Sequence, residues 1–349
     1  METNPFTLGF GKTPHTFISR TSEIQNVIED FNSDLPASQS YLITGVRGSG
    51  KTVTMTAIAN SLKEEGEWII INLNPNRPLL ETLVAKLYDQ PDLQPLFIKA
   101  KFNLSLFGLG ASFEKVAPVS DIEVALEKML NQVKEIGKKV LVTIDEVTKS
   151  ENIKIFTSSF QLLIREDLPI FLLMTGLYEN IHELQNDSTL TFLYRAPRIN
   201  LEPLDMVSIK NRYKEIFKIP ASKAKRMAEL TNGYSFAFQT LGYLCWKNRE
   251  FLEDETALLP AYDDYLQSYV YQKLWTELSP QDRKVLSILS DEKLTKVKEL
   301  REQLGFSSSM MSVYRDRLKR KGLIDVSSYG YVSLTLPRLN RYILDYEEL

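Results

Sequence analysis

Short apolar runs alternate with segments of helical spacing over the first two thirds of the chain. The apolar runs are residues 40–44, 68–73, 140–144, 170–175 and 198–201. Strands without polar alternation, separated by helices, are typical of a parallel sheet covered on both faces. The pattern therefore predicts an α/β domain with a parallel sheet and helices on both faces.

The segments between these runs predict the helices. Helical spacing covers residues 51–64 and 121–136, and a third helix is expected from Pro78 to about Tyr88. Residues 102–116 alternate apolar and polar positions and contain two glycines, which indicates a β-hairpin inserted between sheet elements.

A different pattern begins after the last apolar run. Residues 202–272 have helical spacing throughout, which predicts a small helical domain. Three further helices are then predicted at 280–289, 295–304 and 307–321, with short strands near Gly322 and Gly330. This order is typical of a winged helix-turn-helix. The predicted domains are 1–201 (α/β), 202–274 (helical lid) and 275–349 (winged helix-turn-helix).

Composition narrows the class of protein. The chain of 349 residues has a net charge of -3, but residues 279–341 contain 13 Lys and Arg against 7 Asp and Glu, so a basic module follows an acidic body. The single cysteine, Cys245, excludes an intrachain disulfide and suits a reducing cytoplasm. No apolar segment is long enough for a transmembrane helix, and no secretory signal is recognisable, so we expect a cytoplasmic protein without a membrane partner.

A complete phosphate-loop motif follows the first apolar run. Residues 45–52 read GVRGSGKT and match G-x-x-x-x-G-K-[ST] between a predicted strand and a predicted helix. Such a loop turns its backbone N–H groups, and the positive end of the next helix, towards phosphate oxygens. We expect Lys51 to reach the β- and γ-phosphates of ATP and Thr52 to ligate Mg²⁺. The predicted nucleotide-binding residues of the loop are Gly45, Val46, Arg47, Gly48, Ser49, Gly50, Lys51, Thr52 and Val53.

Two carboxylates follow the third apolar run. Asp145 and Glu146 come directly after VLVTI, at the strand end where open α/β sheets bind ligands. Asp145 is expected to hold Mg²⁺, and Glu146 is expected to orient and polarise the attacking water. The alternative is a pair of solvated carboxylates with no catalytic role.

Together these residues resemble the AAA+ and STAND-type P-loop ATPases, most closely the archaeal-type ATPases related to replication initiators. Residues 17–24, FISRTSEI, resemble the N-terminal box of that family, which implies that Ile18 and Arg20 lie beside the adenine. The alternative is an ordinary helix start capped by Thr21.

The resemblance also implies roles for three residues further along the chain. Thr175 ends the strand after the acidic pair, where the family has a polar sensor of the γ-phosphate. Arg195, or else Arg198, would contact the γ-phosphate in the same chain or in a neighbouring subunit, since a planar guanidinium suits phosphate. Structural roles remain open for all three.

One departure from the AAA+ pattern changes the expected kinetics. Many AAA+ proteins have an arginine in the lid, whereas residues 232–239, NGYSFAFQ, contain no basic residue. The stretch instead resembles archaeal STAND-like ATPases. We therefore expect a switch with slow ATP turnover rather than a hexameric motor.

The last helix of the predicted winged module contains five Lys and Arg. Met311, Tyr314 and Leu318 are spaced to face the core, so the opposite face is expected to contact the DNA major groove. The predicted DNA-contacting residues are Ser308, Ser309, Ser312, Arg315 and Lys319. Docking of this helix on a protein surface is the alternative.

The leading hypothesis is an ATP-binding and ATP-hydrolysing switch that engages double-stranded DNA through its winged helix. A signalling or scaffold NTPase whose winged helix binds protein is the alternative, and a nucleotide-binding protein with negligible hydrolysis is a third. ATP, ADP and Mg²⁺ are the expected ligands. Contact of Arg195 with the nucleotide of a neighbouring subunit is compatible with self-association or with a partner protein.

Overall fold

All five predicted apolar runs form strands of a single parallel sheet in the computed structural model. The strands are β1 (Ser40–Thr44), β2 (Trp68–Leu73), β3 (Lys139–Ile144), β4 (Ile170–Gly176) and β5 (Arg198–Asn200). Their order is β2-β3-β4-β1-β5. Thr44 of β1 pairs with Gly176 of β4, and Ile144 of β3 pairs with Met174, so these strands end at the same edge.

The structure describes residues 3–9, 14–100, 103–105, 108–109, 120–188, 190, 192–290 and 294–347. Most of the hairpin predicted at 102–116 lies outside these residues. The chain divides into two compact units. The sheet unit comprises Thr21–Thr44 and Thr54–Asn200, and the helical unit comprises Met1–Arg20, Gly45–Val53 and Leu201–Leu349.

Among the described residues, seven α-helices lie between or before the strands of the sheet. They are α1 (Thr21–Asn32), α2 (Lys51–Glu64), α3 (Leu79–Tyr88), α4 (Gln94–Lys99), α5 (Ile122–Glu135), α6 (Glu151–Arg165) and α7 (Tyr178–Gln185). The predictions for α2, α3 and α5 are confirmed. Asp121 and Ser150 accept hydrogen bonds from the first backbone N–H groups of α5 and α6, which fixes where these helices begin. All seven residues of β4 are buried, as expected for a strand covered on both faces.

The first part of the helical unit after the sheet contains five α-helices and one π-helix. They are α8 (Met206–Phe217), α9 (Ala221–Thr231), α10 (Ser235–Lys247), α11 (Glu255–Leu266), a π-helical segment (Gln267–Tyr271) and α12 (Gln272–Glu277). Asn232 ends α9 in the left-handed conformation, at φ 45°. The helical pattern predicted for residues 202–272 is therefore confirmed.

The C-terminal module, defined as residues 280–347, contains the predicted helices and short strands. Its elements are α13 (Pro280–Ser290), β6 (Thr295–Lys296), α14 (Val297–Leu304), α15 (Ser308–Arg320), β7 (Ile324–Asp325), β8 (Tyr331–Leu334) and α16 (Leu339–Glu347). The strands form an antiparallel sheet in the order β6-β8-β7. Helix α14 begins later than predicted because Thr295 and Lys296 pair with β8.

One hydrophobic core runs through the helical unit. It includes Leu204 and Phe238 near the start and Leu286, Leu318 and Ile343 in the C-terminal module. The boundaries proposed at 201/202 and 274/275 stay predictions. Within the described part of the chain, no helix is both long enough and apolar enough to cross a membrane.

Candidate functional site

The phosphate loop has the glycine geometry that its motif requires. Gly48 and Gly50 have φ values of 77° and 98°, in the left-handed region that favours glycine. The loop follows β1 directly, and Lys51, Thr52 and Val53 form the first turn of α2. Its Lys51 ammonium lies over the loop and donates to the backbone carbonyls of Gly45 (3.0 Å) and Val46 (3.1 Å).

The loop also contains a polar atom suited to an anion. Ser49 is buried, and its Oγ finds no hydrogen-bond partner among the residues that the structure describes. Burying a hydroxyl without a partner is unfavourable, and a phosphate oxygen could accept its hydrogen bond. Together with the Lys51 ammonium and the Thr52 hydroxyl, this donor set fits a nucleotide phosphate and its metal ion.

Three consecutive residues at the start of α10 bind the loop backbone. The Tyr234 hydroxyl donates to the Arg47 carbonyl (2.5 Å), the Ser235 hydroxyl to the Ser49 carbonyl (2.8 Å), and the Phe236 N–H to the Gly48 carbonyl (3.1 Å). A Cβ at Gly48 would lie 2.2 Å from the Tyr234 hydroxyl oxygen, so only glycine allows this approach. No local sequence pattern indicates this contact, because Tyr234 and Arg47 are 187 residues apart.

The N-terminal box reaches the loop through Arg20. Its guanidinium donates to the Ser49 carbonyl at 3.3 Å and is almost completely buried. Ile18 is half-buried and packs against the core of the helical unit. Arg20 therefore contacts the backbone of the phosphate loop directly. The expected contact of Ile18 and Arg20 with adenine stays a prediction.

Two loop residues also lie close to the ends of α12 and α15 in the helical unit. The Arg47 guanidinium forms a salt bridge of 3.1 Å with Glu277, the last residue of α12. A Cβ built at Gly322, just after α15, would lie 3.7 Å from Cβ of Val46. Contacts of the loop thus extend to both ends of the segment that contains α13, α14 and α15.

The acidic pair lies at the carboxyl edge of the sheet and is held there by β4. Thr175 is fully buried, and its hydroxyl donates to Oδ1 of Asp145. The Glu146 N–H donates to the same Asp145 oxygen (3.0 Å) and to Thr175 Oγ1 (3.2 Å). Glu146 has φ 52°, an unusual conformation for a residue other than glycine, and its side chain is exposed. Thr175 therefore contacts the acidic pair itself.

Arg195 lies at the opposite edge of the sheet. It ends a short 3₁₀ helix before β5 and lines a cavity of about 820 Å³ together with Ser38, Gln39 and Ser40, which lead into β1. The five residues of β1 separate this edge from the carboxyl edge by roughly 13 Å. Arg198 is exposed, and its guanidinium lies over the Tyr178 ring at 5.7 Å. Arg195 is thus not brought together with Asp145 and Glu146.

Three of the five basic residues counted in the last predicted helix are neutralised by acidic neighbours. Arg317 and Lys321 both pair with the buried Asp282, and Arg320 pairs with Asp316. The predicted outward-facing residues Ser308, Ser309, Ser312 and Lys319 are exposed, and Arg315 is half-buried. The Met311 and Leu318 side chains are buried, as predicted, whereas Tyr314 is half-buried. Among the described residues, Arg315 and Lys319 are therefore the basic residues of this helix that keep an unpaired positive charge for the predicted DNA-contacting face.

Replacing Asp282 by Ala should destabilise the protein by about 3 kcal/mol, because two cations lose a buried carboxylate. The lower end of the usual range applies, since the Arg317 side chain is 38% exposed. The Asp316→Ala control removes a pair exposed on both sides and should cost less than about 1 kcal/mol. Urea unfolding followed by circular dichroism compares the two variants, and equal losses would contradict the structural role of Asp282.

Comparison with known families and structures agrees with this geometry. A family model described as an ATPase domain predominantly from Archaea matches residues 17–231. A model of a domain of unknown function (DUF8462) matches residues 268–343. No curated protein sequence matches the chain.

Two solved structures are similar over nearly the whole chain. The Walker-type ATPase of Pyrococcus abyssi has a TM-score of 0.63 and 17% identity, covering 94% of this chain and 96% of that one. The ORC2 protein of Aeropyrum pernix, solved as ADPNP–ADP complexes, has a TM-score of 0.58 and 13% identity, covering 97% of each chain. At these identities the likeness establishes the P-loop ATPase fold.

Proposed function

The chain belongs to the family of ATPase domains found predominantly in Archaea and is an ATPase, and from this premise we propose that it is an ATP-controlled switch that engages duplex DNA. The nucleotide controls the phosphate loop, and the C-terminal module contacts the DNA. The single observation that carries this proposal is that the loop contacts α10 and α12, and that Val46 lies next to Gly322 of the C-terminal module, all within one compact unit.

The residues of the two motifs divide the chemistry of hydrolysis between them. Lys51 binds the β- and γ-phosphates, and the Ser49 hydroxyl and the loop backbone bind further phosphate oxygens. Thr52 and Asp145 hold Mg²⁺, which neutralises phosphate charge when bound. Glu146 orients the attacking water and takes its proton. Thr175 positions Asp145 and Glu146 through its two hydrogen bonds.

Nucleotide binding at the loop changes the contacts that it makes with the helical unit. Lys51 now bonds to two loop carbonyls, and it must give up at least part of these bonds to reach a phosphate. The carbonyls of Arg47, Gly48 and Ser49 are bound by the first residues of α10. A change in the loop is therefore passed to α10 and, through Arg47 and Glu277, to the end of α12, which directly precedes the C-terminal module. The absence of a basic residue from the lid stretch 232–239 supports slow turnover.

The C-terminal module is proposed to be a winged helix that contacts DNA through α15. The helices α13, α14 and α15 and the three-stranded antiparallel sheet support this assignment. The exposed side chains of Ser308, Ser309, Ser312 and Lys319, together with the half-buried Arg315, supply the contacts to the duplex. Tyr329, fully exposed in the turn before β8, lies at the tip of the proposed wing.

Arg195 is proposed to act on the nucleotide of a second copy of the chain. Its guanidinium is exposed at the amino edge of the sheet, whereas Asp145 and Glu146 lie at the carboxyl edge of the same sheet. This separation favours action in trans over action within the chain. Self-association in the ATP state follows from this role.

Titration of labelled duplex DNA with the full chain tests the switch. The affinity should differ at least several-fold between ATP and ADP, because the two nucleotides differ in the γ-phosphate that Lys51 contacts. Glu146→Gln keeps the ATP state populated during the titration. Equal affinity in both nucleotide states would overturn nucleotide control, while binding in neither state would overturn the DNA role.

A second candidate function is a signalling or scaffold ATPase whose winged helix binds protein. Exposed apolar side chains on α15 favour it, since Met310 is 39% and Val313 is 62% exposed. Both functions use the same helix but differ in their dependence on salt. An electrophoretic shift of duplex DNA at low salt supports the DNA role, and the absence of a shift supports protein docking.

A further inference from the structure

A basic groove opens in the C-terminal module beside the start of α15. Its volume is about 440 Å³, and it is lined by residues from α14, from α15 and from the turn that contains Gly330. Lys298 and Arg301 come from α14, one helical turn apart. Ser308, Ser312 and Arg315 come from α15. Sequence reasoning assigned no role to Lys298 or Arg301.

Among the residues that the structure describes, no acidic group compensates the charge of this groove. No Asp or Glu of the described residues lines it, and Lys298, Arg301 and Arg315 form no salt bridge with any described residue. The Arg301 guanidinium donates a hydrogen bond, 2.8 Å long, to the Ser308 hydroxyl. By contrast, Lys296, Arg317 and Arg320 in the same module all pair with carboxylates.

Three unpaired cations around one groove repel each other, and an anion in the groove would remove this repulsion. The donors present suit one kind of anion in particular. Guanidinium groups and hydroxyls match the tetrahedral oxygens of a phosphate, and the Lys298 ammonium adds a point charge. The groove also lies beside the exposed serines of α15, so a phosphate bound here would be continuous with a duplex on that helix.

We propose that this groove binds a backbone phosphate of duplex DNA through Lys298, Arg301 and Arg315. The inference rests on the proposed DNA role and adds a site that α15 alone does not supply. The contact is independent of base sequence and fixes the orientation of α15 on the duplex. Lys298 and Arg301 therefore contribute affinity and salt dependence, while the exposed side chains of α15 contribute sequence preference.

The salt dependence of DNA binding by Lys298→Gln and Arg301→Gln tests this site in the full chain with ATP. Each phosphate contact contributes about 0.9 to the slope of log affinity against log salt, so a fourfold rise in salt weakens it about 3.5-fold. The affinity ratio of wild type to variant should thus be about 3.5 times larger at 50 mM than at 200 mM salt. The titration uses two fluorescent duplexes of unrelated sequence, and both should show the same change in this affinity ratio.

Two control variants separate the groove from general charge effects. Lys284→Gln removes an exposed lysine of α13 in the same module and should leave the salt slope unchanged. Lys298→Arg keeps the charge and should retain the wild-type slope. Lys298 is exposed, so its variants should unfold at the wild-type temperature, and circular dichroism checks this.

The possible results distinguish this inference from the function on which it rests. A wild type that binds DNA, with both glutamine variants keeping its slope, overturns the phosphate site and leaves the DNA role intact. A loss of affinity confined to one duplex sequence also overturns the phosphate site, because that result indicates a base contact. A wild type that binds neither duplex at low salt overturns the DNA role and the groove together.

Discussion

Replacing Glu146 by Gln should leave ATP binding intact and slow hydrolysis at least ~100-fold, since the amide cannot accept the proton of the attacking water. Glutamine has nearly the same shape, so the position of the side chain should be kept. The backbone N–H of Glu146 donates hydrogen bonds to Asp145 and Thr175, and the Glu146 side chain takes no part in these bonds. Phosphate release at saturating ATP gives the rate, and isothermal titration gives the affinity.

Glu151→Gln is the matched control for this prediction. Glu151 is exposed at the first position of α6, a few residues further along the chain, and has no predicted part in catalysis. Its glutamine variant should hydrolyse ATP at the wild-type rate. A Glu146→Gln protein that retained half of the wild-type rate would show that another group activates the water.

Replacing Lys51 by Ala should weaken ATP binding roughly 10- to 150-fold. A hydrogen bond to a charged group contributes about 1.5–3 kcal/mol, and each 1.4 kcal/mol corresponds to a tenfold change in affinity. The variant also leaves the Gly45 and Val46 carbonyls without the ammonium that now binds them. Both effects act on the phosphate loop rather than on the sheet.

Lys63→Ala serves as the control for Lys51, because Lys63 is exposed in the last turn of the same helix, α2. Its removal should not change the affinity for ATP by more than about twofold, because Lys63 is an exposed charge with no assigned contact to the nucleotide. Titration calorimetry with Mg²⁺ measures both variants. Equal affinities of the Lys51 and Lys63 variants would contradict the assigned phosphate contact.

The strands and most helices could be predicted because their signals are local. A continuous apolar run such as residues 170–175 is long enough only for a buried strand, and β4 extends it by one residue, Gly176. The order β2-β3-β4-β1-β5 could not be predicted in the same way, because pairing joins strands far apart in the chain. Helix α14 began late for the same reason, since β8 takes Thr295 and Lys296 into a strand.

The site was predictable where its chemistry lies in one short segment. The phosphate loop is eight consecutive residues, and its glycine conformations are those that the motif requires. The contacts of Tyr234 with Arg47, and of Arg47 with Glu277, join residues 187 and 230 positions apart and leave no local pattern. A count of charges along the sequence also cannot distinguish paired from unpaired cations. Arg317 and Lys321 pair with Asp282, whereas Lys319 is exposed.

The most direct test of the account is equilibrium binding of ATP to the wild-type chain with and without Mg²⁺. The account predicts saturable binding of one ATP per chain, tighter with Mg²⁺, because the loop residues and Asp145 bind the phosphates and the metal ion together. A folded protein that bound no nucleotide even at millimolar ATP with Mg²⁺ would contradict it.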